Sequence, residues 1–475
     1  MFQNIANDFA LDTAAKSMSL SEILSAFSFA LDMTEGQSPG HSLRACWIGT
    51  HLAAAIGLSG AALRDVYYAV MLKDLGCSSN AARVSELFLG DDRALKSGFK
   101  LIGTTEADFA AFVTANVGVE AEAASRDAAI ANLAANAGVI LTEFMDTRCT
   151  RGADIARQLR FSEDVATAIA HLDEHWDGSG LPRNLSGDAI HIGGRIALLA
   201  QVADVFFSAK GSAAAIAEVR ARRGTWFDPA LVDAFVAVAS VRGFWEPLAP
   251  GLIETAIFQL EPASLRVTVD DDYLDDIATA FGQVIDAKSP YTGGHSDRVG
   301  RFSDAIATRM GLCASERRVL RRAAMLHDIG KLGVSSTILE KPGKLSDDEW
   351  VVMRSHAMLT GEILGRVGVL RDMAMIAASH HERLDGAGYP LALRAEMISL
   401  ETRIISTADF FDALTADRPY RPAMSVDQAF SVMQPEVGKA IDGGCFAALC
   451  AEVDSIGGIP KAPLPEINLG WQNPQ

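Results

Sequence analysis

The chain repeats itself, and that constrains its fold more than any other feature. PGHSLRACWIGTHLAAAIGLS (39–59) lines up with GGHSDRVGRFSDAIATRMGLC (293–313), and the same offset lays AVMLKDLGC (69–77) on AAMLHDIGK (323–331). At a shorter offset LDEHWDGSGLP (172–182) matches HHERLDGAGYP (380–390) and RIALLAQVADVF (195–206) matches RIISTADFFDAL (403–414). FDPALVDAF (227–235) matches IDGGCFAAL (441–449) more weakly. Two copies of one unit must fold as two similar halves. The offset shrinks by roughly forty-six residues between the early and late blocks, which predicts an insertion in the first copy. It falls within 84–145, where EAEAASRDAAIANLAANAGVI is rich in strong helix formers.

The patterning is helical. RRVLRRAAMLHDIG has apolar residues at helical spacing and reads as a helix stopped at Gly330. VDQAFSVM, DDEWVVMRSHAML and DRVGRFSDAIATRM read as amphipathic helices, and few stretches alternate with period two. At 475 residues two or three domains are expected. The first copy is assigned to 1–245, a Pro-bearing, partly β-prone joining segment to 246–270, the second copy to 271–455, and a loose tail to 456–475.

The copies differ in their chemistry. The second holds His295, His327, His356, His380 and His381, each beside other polar or acidic residues, in GGHSDRV, LHDIGK, RSHAMLTGE and SHHERLDGAGYP. Neutral imidazoles with carboxylates are the ligands of catalytic divalent metals. A single histidine in a helical protein is usually packed or solvated, but five in successive motifs are not. In the first copy His41 and Asp74 match His295 and Asp328, whereas His327 becomes Lys73 and His356 falls near Thr147. His380 and His381 become Leu172 and Asp173, and Asp409 becomes Gln201. A protonated lysine has no lone pair to offer and leucine has none at all. The first copy should keep the fold and lose the metals. His171, His175 and His191 read as solvated or structural, and the RRxxRR run at 317–322 as a solvated helix face.

Taken in order, H…HD…H…HH…D with a DGxGYP segment resembles the HD-GYP subgroup of the HD phosphohydrolase superfamily. The resemblance spans about 275–450 with motifs intact and about 20–240 as a degenerate copy. It implies an all-α fold, as tandem helical bundles of which the first is degenerate. It also implies hydrolysis of the 3′–5′ phosphodiester of cyclic di-GMP to pGpG or GMP through a metal-bridging hydroxide. By that correspondence His295, His327, Asp328 and Asp409 hold one metal, and Asp328, His356, His380 and His381 the other. Two ions can both bridge a deprotonated water and clamp an anionic phosphate, and a bridging aspartate suits the pair. Mixed N/O ligation fits Fe or Mn. Members with a third metal carry a glutamate four residues before the first histidine; here that position is Tyr291, a poor ligand at neutral pH, so two divalent transition metals are expected. Lys331 is expected on the ligand face as a phosphate contact, with Asp328 central to catalysis. Arg418 and Arg421 of DRPYR are expected at phosphate or guanine edges, and Tyr389 in the pocket. Gly386, Gly388 and Pro390 should shape a tight loop.

Composition narrows the partners. A net charge of −18 excludes a general binder of nucleic-acid polymers, which would carry a basic face. Six scattered cysteines without a CxxC pair suit reduced thiols. The N-terminal MFQNIANDFALDTAAKS has neither a basic nor an apolar leader region, and no uninterrupted apolar run reaches membrane-spanning length, so a cytoplasmic protein is expected. Besides a cyclic di-GMP phosphodiesterase, two readings remain: a phosphohydrolase of another nucleotide, and a non-catalytic scaffold responsive to cyclic di-GMP. The first copy would serve as a homodimerisation surface or as a site for a regulatory ligand or protein.

Overall fold

The computed structural model describes residues 18–261, 267–417 and 422–455. Among the described residues the protein is almost wholly helical. Its one sheet pairs Met18–Ser19 antiparallel with Thr268–Val269, tying the start of the first copy to the segment that leads into the second. The tail 456–475 lies outside the described residues.

The repeated segments fold alike. Helices His41–Ala55 and His295–Arg309 each start directly after a glycine in the left-handed region, Gly40 and Gly294, a conformation that L side chains rarely adopt. Asp32 accepts hydrogen bonds from the Ser42 amide and hydroxyl, and Asp286 from those of Ser296. The His41 and His295 Nδ1 atoms donate to Asp204 and Asp412, both at 2.7 Å. Leu181–Pro182 and Tyr389–Pro390 are both cis. Even the weakest match is real in space: the bridge Arg223–Phe227 recurs as Val437–Ile441.

The insertion forms the helices Ala81–Phe88, Asp92–Phe99 and Glu106–Asn116 and the first turns of the long helix Ala123–Gln158. It has its own apolar cluster, including Val84, Phe88, Leu95, Phe112, Leu133 and Phe144.

Everything else shares one continuous core. Phe27 and Phe281 stack at 4.0 Å and 16°. They occupy the same position in the two copies, so an approximate two-fold axis passes between them. In keeping with that axis, helix Leu20–Thr34 packs on the Ile329–Gly333 turn of the second copy, and helix Asp271–Asp286 on the Cys77–Asn80 turn of the first. The joining segment is short helical turns, Glu246–Leu248, Ile253–Ala256 and Ile257–Gln259, with Leu248, Ile253 and Ile257 buried. Among its described residues, β structure is confined to Thr268–Val269.

Three local expectations differ from the structure. The helix through Met325 ends at Leu326, not at Gly330. Gly330 is instead a point of close approach, where a Cβ would meet the His356 carbonyl oxygen at 2.0 Å. The arginine run is only in part a solvated face: Arg321 is exposed, but Arg322 is buried against Asp271 and Asp275, and Arg318 pairs with Asp272 and Asp275. The acidic first turn of helix Asp271–Asp286 draws it in. Two helices, Ala123–Gln158 and Ile192–Lys210, are also long and apolar enough to cross a membrane by length and composition. The second is mostly buried in the protein core; the first has a mostly exposed, alanine-rich window.

Because the Phe27–Phe281 pair sits where the copies meet, Phe27→Ala and Phe281→Ala should each cost about 3–5 kcal/mol. Each should lower a single thermal transition of the whole chain in calorimetry. Two transitions, of which one alone moves, would show that the halves unfold independently.

Candidate active site

Asp328 lies at the centre of the second copy, 1% exposed, between the helix Ala314–Leu326 with its cap His327 and the turn Ile329–Gly333. Its two carboxylate oxygens face different groups. Oδ2 lies 3.5 Å from His295 Nε2 and 3.3 Å from His327 Nε2. Oδ1 lies 3.5 Å from His356 Nε2 and 3.7 Å from His380 Nε2. Asp409 Oδ1 closes the first side, 3.5 Å from His295 Nε2 and 3.8 Å from His327 Nε2. His381 completes the second, with ligand atoms of His356, His380 and His381 all within 4.8 Å of one another.

The imidazoles are aimed. His327, His356 and His380 donate from Nδ1 to the carbonyls of Ala324, Met353 and Ala377, each at 2.6 Å, and His295 donates to Asp412. With Nδ1 donating, every Nε2 faces inward, where it can give a lone pair to a metal. The Nε2 atoms of these four histidines and Asp328 Oδ1 are buried with no hydrogen-bond partner. An orphaned buried polar atom costs about 1–3 kcal/mol, and five around one point suit a cation.

Charge state agrees. Burial pushes His356 down to about 4 and His380 to about 3, and drives His381 well below its usual range, leaving neutral ligands. Burial also opposes protonation of His295, but Asp328, Asp412 and Asp409 outweigh it and raise it to about 10, so its Nε2 carries a proton toward Asp328 that a bound metal would displace. Burial would raise Asp328, yet His327, Lys331 and His295 hold it well below the carboxylate range. Asp409 is likewise lowered, His327 and His295 outweighing its burial.

Lys331 reaches the site differently from the helical register expected. It sits in the 3₁₀ turn Ile329–Gly333 and its ammonium pairs with Asp328 Oδ2. A cavity of about 780 Å³ opens over the cluster, lined also by Tyr291, Lys341, Lys344, Trp350 and Tyr389. This is within the range of small-molecule sites. Arg354 lies over the Trp350 and Tyr389 rings at 5.5 and 5.4 Å. Gly386 is in the left-handed region, and a Cβ on Gly388 would meet the Arg383 amide nitrogen at 2.4 Å, so both glycines shape the loop that carries Tyr389. Glu382 pins that loop through the Leu391 and Leu393 amides. Arg418 and Arg421 lie outside the described residues.

Several supporting residues were not anticipated. Asp412 orients His295 and is held by Arg298; both recur as Asp204 and Arg44, and that recurrence was the available signal. Thr360 donates to the His327 carbonyl and accepts from the Gly330 amide. Lys288, 1% exposed on the cavity wall, pairs at 2.6 Å with Asp92 of the first copy's insertion, whose other oxygen accepts from the Ser336 amide. Nothing in the sequence signals that contact.

In the first copy the counterpart of His356 is Arg148, one residue beyond Thr147: Gly76 abuts the Arg148 carbonyl as Gly330 abuts that of His356. Asp74 takes Lys73 on Oδ2 and Arg148 on Oδ1, the same two sides on which Asp328 faces His327 and His356. Side-chain cations stand where the second copy leaves lone pairs. His171 accepts from the His191 amide, His191 caps its own helix and His175 stacks on Trp226, all structural roles.

This constellation, on two helical halves related by duplication, defines an HD-domain protein. The model of the HD domain matches residues 128–231 and 280–444. The 3′3′-cGAMP-specific phosphodiesterase 3 of Vibrio cholerae is 46% identical over 92% of this chain and 95% of its own length. The crystal structure of a cyclic GMP-AMP specific phosphodiesterase of V. cholerae superimposes with a TM-score of 0.63 at 43% identity, covering 92% of this chain and 98% of that one. A cyclic di-GMP phosphodiesterase of Thermotoga maritima is 36% identical over 39% of this chain and 52% of its own length. The chain belongs to the HD-GYP family of HD-domain phosphodiesterases.

Asp412→Ala should free the His295 ring to rotate and weaken metal binding about 10–100-fold, read by titrating Mn²⁺ into metal-stripped protein. Unchanged affinity would mean that His295 is held by other contacts.

Proposed function

We propose that the second copy is a metal-dependent phosphodiesterase that opens the 3′–5′ phosphodiester of a cyclic dinucleotide. The observation that carries this reading is the convergence of four unpartnered Nε2 atoms and a buried carboxylate beneath a cavity of about 780 Å³. His295, His327, Asp328 and Asp409 would hold one divalent transition metal, and Asp328, His356, His380 and His381 the other, with iron or manganese the ions best suited. Tyr291, 39% exposed where a third site would need a carboxylate, favours two. When bound, such a pair supplies a nucleophile at neutral pH and a clamp on the phosphate oxygens.

The chain's own residues do the rest. Lys331 presents an ammonium at the cavity floor, placed to meet a non-bridging phosphate oxygen and stabilise the charge that grows there in the transition state. Lys344 adds positive charge at the wall for a dianionic substrate within a chain of net charge −18, beside Lys341, which is paired with Glu349. Trp350 and Tyr389 line the cavity and offer aromatic surface to the bases. Arg418 and Arg421 are assigned to phosphate or base edges on their sequence motif alone.

The full-length relative of the same organisation is named for 3′3′-cGAMP, which favours that substrate. Cyclic di-GMP is the second reading, favoured by relatives that align to part of this chain and carry that name. Linear dinucleotide or mononucleotides would be the products. The reaction fits a cytoplasmic enzyme.

Purified protein should turn over at least one of 3′3′-cGAMP and cyclic di-GMP when each is followed by chromatography; turnover of neither, with metals bound, would refute the reading. Protein purified anaerobically should hold about two metals per chain, and Asp328→Ala should lose most of both metal and turnover. Lys331→Ala should retain the metals and lower kcat with KM little changed, since its contact forms with the transition state. Loss of metal from Lys331→Ala would make the lysine structural instead.

A further inference from the structure

The first copy retains a cavity where the second has its active site. It is about 320 Å³ and is lined by Arg148, Asp173, Leu181 and Gln201, the counterparts of His356, His381, Tyr389 and Asp409. The insertion roofs it with Val84, Phe88, Leu95, Phe99 and Phe112. Lys73 and Arg148 already neutralise Asp74, so this is not a site for a metal.

Its chemistry is nonetheless that of a ligand site. Of the charged lining residues, Arg148 is matched by Asp173 and Asp74 and Arg222 by Glu218, whereas Lys96 and Lys100 face Glu35 alone, which leaves one positive charge in excess within a chain of net charge −18. Lys96 and Lys100 converge on the one Glu35 carboxylate, at 3.3 and 2.7 Å, leaving donors over for an anion. Around them the wall is aromatic: Phe88, Phe112, Phe144 and Trp226, with Arg222 lying 4.0 Å over the Trp226 ring. Two side-chain carbonyl oxygens on the same wall, Asn80 Oδ1 and Gln201 Oε1, are buried in residues 8% and 5% exposed and accept no hydrogen bond. They call for N–H donors from a ligand.

An anionic group, a flat aromatic body and N–H donors at its edge together describe a purine mononucleotide. The volumes agree, since this cavity is less than half that of the catalytic one, which must take two joined nucleotides. We propose that the first copy binds a purine nucleoside monophosphate, its phosphate at Lys96, Lys100 and Arg148 and its amino-bearing base against Asn80, Gln201 and the aromatic wall. The helix Asp92–Phe99 links this site to the catalytic one: Lys96, with Lys100 just beyond the helix, lines the first cavity, and Asp92 holds Lys288 on the wall of the second.

The test is calorimetric titration of the metal-loaded full chain with GMP and with AMP. It is repeated on Asp328→Ala, which disables the catalytic site, and on Lys100→Met and Leu198→Trp, which remove a charge and fill the cavity. Turnover of the last two variants serves as the check that they fold. The expected result is that at least one nucleotide binds and still binds Asp328→Ala. Lys100→Met should then weaken it about tenfold or more, the worth of one charge-assisted hydrogen bond, and Leu198→Trp should abolish it. Should Leu198→Trp fail to fold, Lys100→Met alone decides. Absence of binding by both nucleotides, binding lost with Asp328→Ala, or binding untouched by Lys100→Met would each overturn the proposal.

Discussion

A carboxylate buried in a helical core must be compensated, and the two copies of this chain answer that need in different ways. Asp74 and Asp328 occupy the same place, 0% and 1% exposed. In the first copy a lysine and an arginine take one oxygen each, and the charge is satisfied within the protein. In the second, Lys331 meets one oxygen while His327, His356 and His380 direct lone pairs at the carboxylate from fixed orientations. Lone pairs do not satisfy a carboxylate; only a cation satisfies both. The metal-binding reading, the choice of ligands and the absence of a free ligand set around Asp74 all follow from this one comparison.

The same comparison explains what the duplication preserves. Gly76 and Gly330 let the turn after each central aspartate press on a neighbouring helix. Asp204 and Asp412 hold a histidine and an arginine on the adjacent helix. These contacts build the fold and are kept in both copies. Of the side chains that would meet metal, only His295 and Asp328 keep counterparts in the first copy, as His41 and Asp74. The shared core and the Phe27–Phe281 stack make the first copy part of the scaffold of the second, and its insertion reaches the catalytic wall through Asp92.

Much of this was legible in the sequence. Periodic apolar residues mark helices by the same physics in any context, and the repeat exposed the halves. The five histidines, Asp328 and Asp409 all converge, because ligand motifs carry their chemistry in residue type and order. What escaped was set by tertiary contact. Gly330 looked like a helix stop because glycine serves both caps and close approaches, and only the position of His356 distinguishes them. The counterpart of His356 was placed only as near Thr147, not at Arg148 itself, because the insertion ends inside a continuous helix with no turn to anchor the alignment. The arginine run looked solvated because its carboxylate partners lie about forty-five residues away on another helix. The Asp92–Lys288 pair joins residues 196 apart in the chain and leaves no local pattern.

The most direct test of this account is a crystal structure of the metal-loaded protein with anomalous data collected on both sides of the iron and manganese edges. Two peaks about 3.5–4 Å apart should lie on either side of the Asp328 carboxylate, one toward His295, His327 and Asp409 and the other toward His356, His380 and His381. None should appear at Asp74. A single peak in the second copy, or any peak between Lys73 and Arg148 in the first, would contradict it.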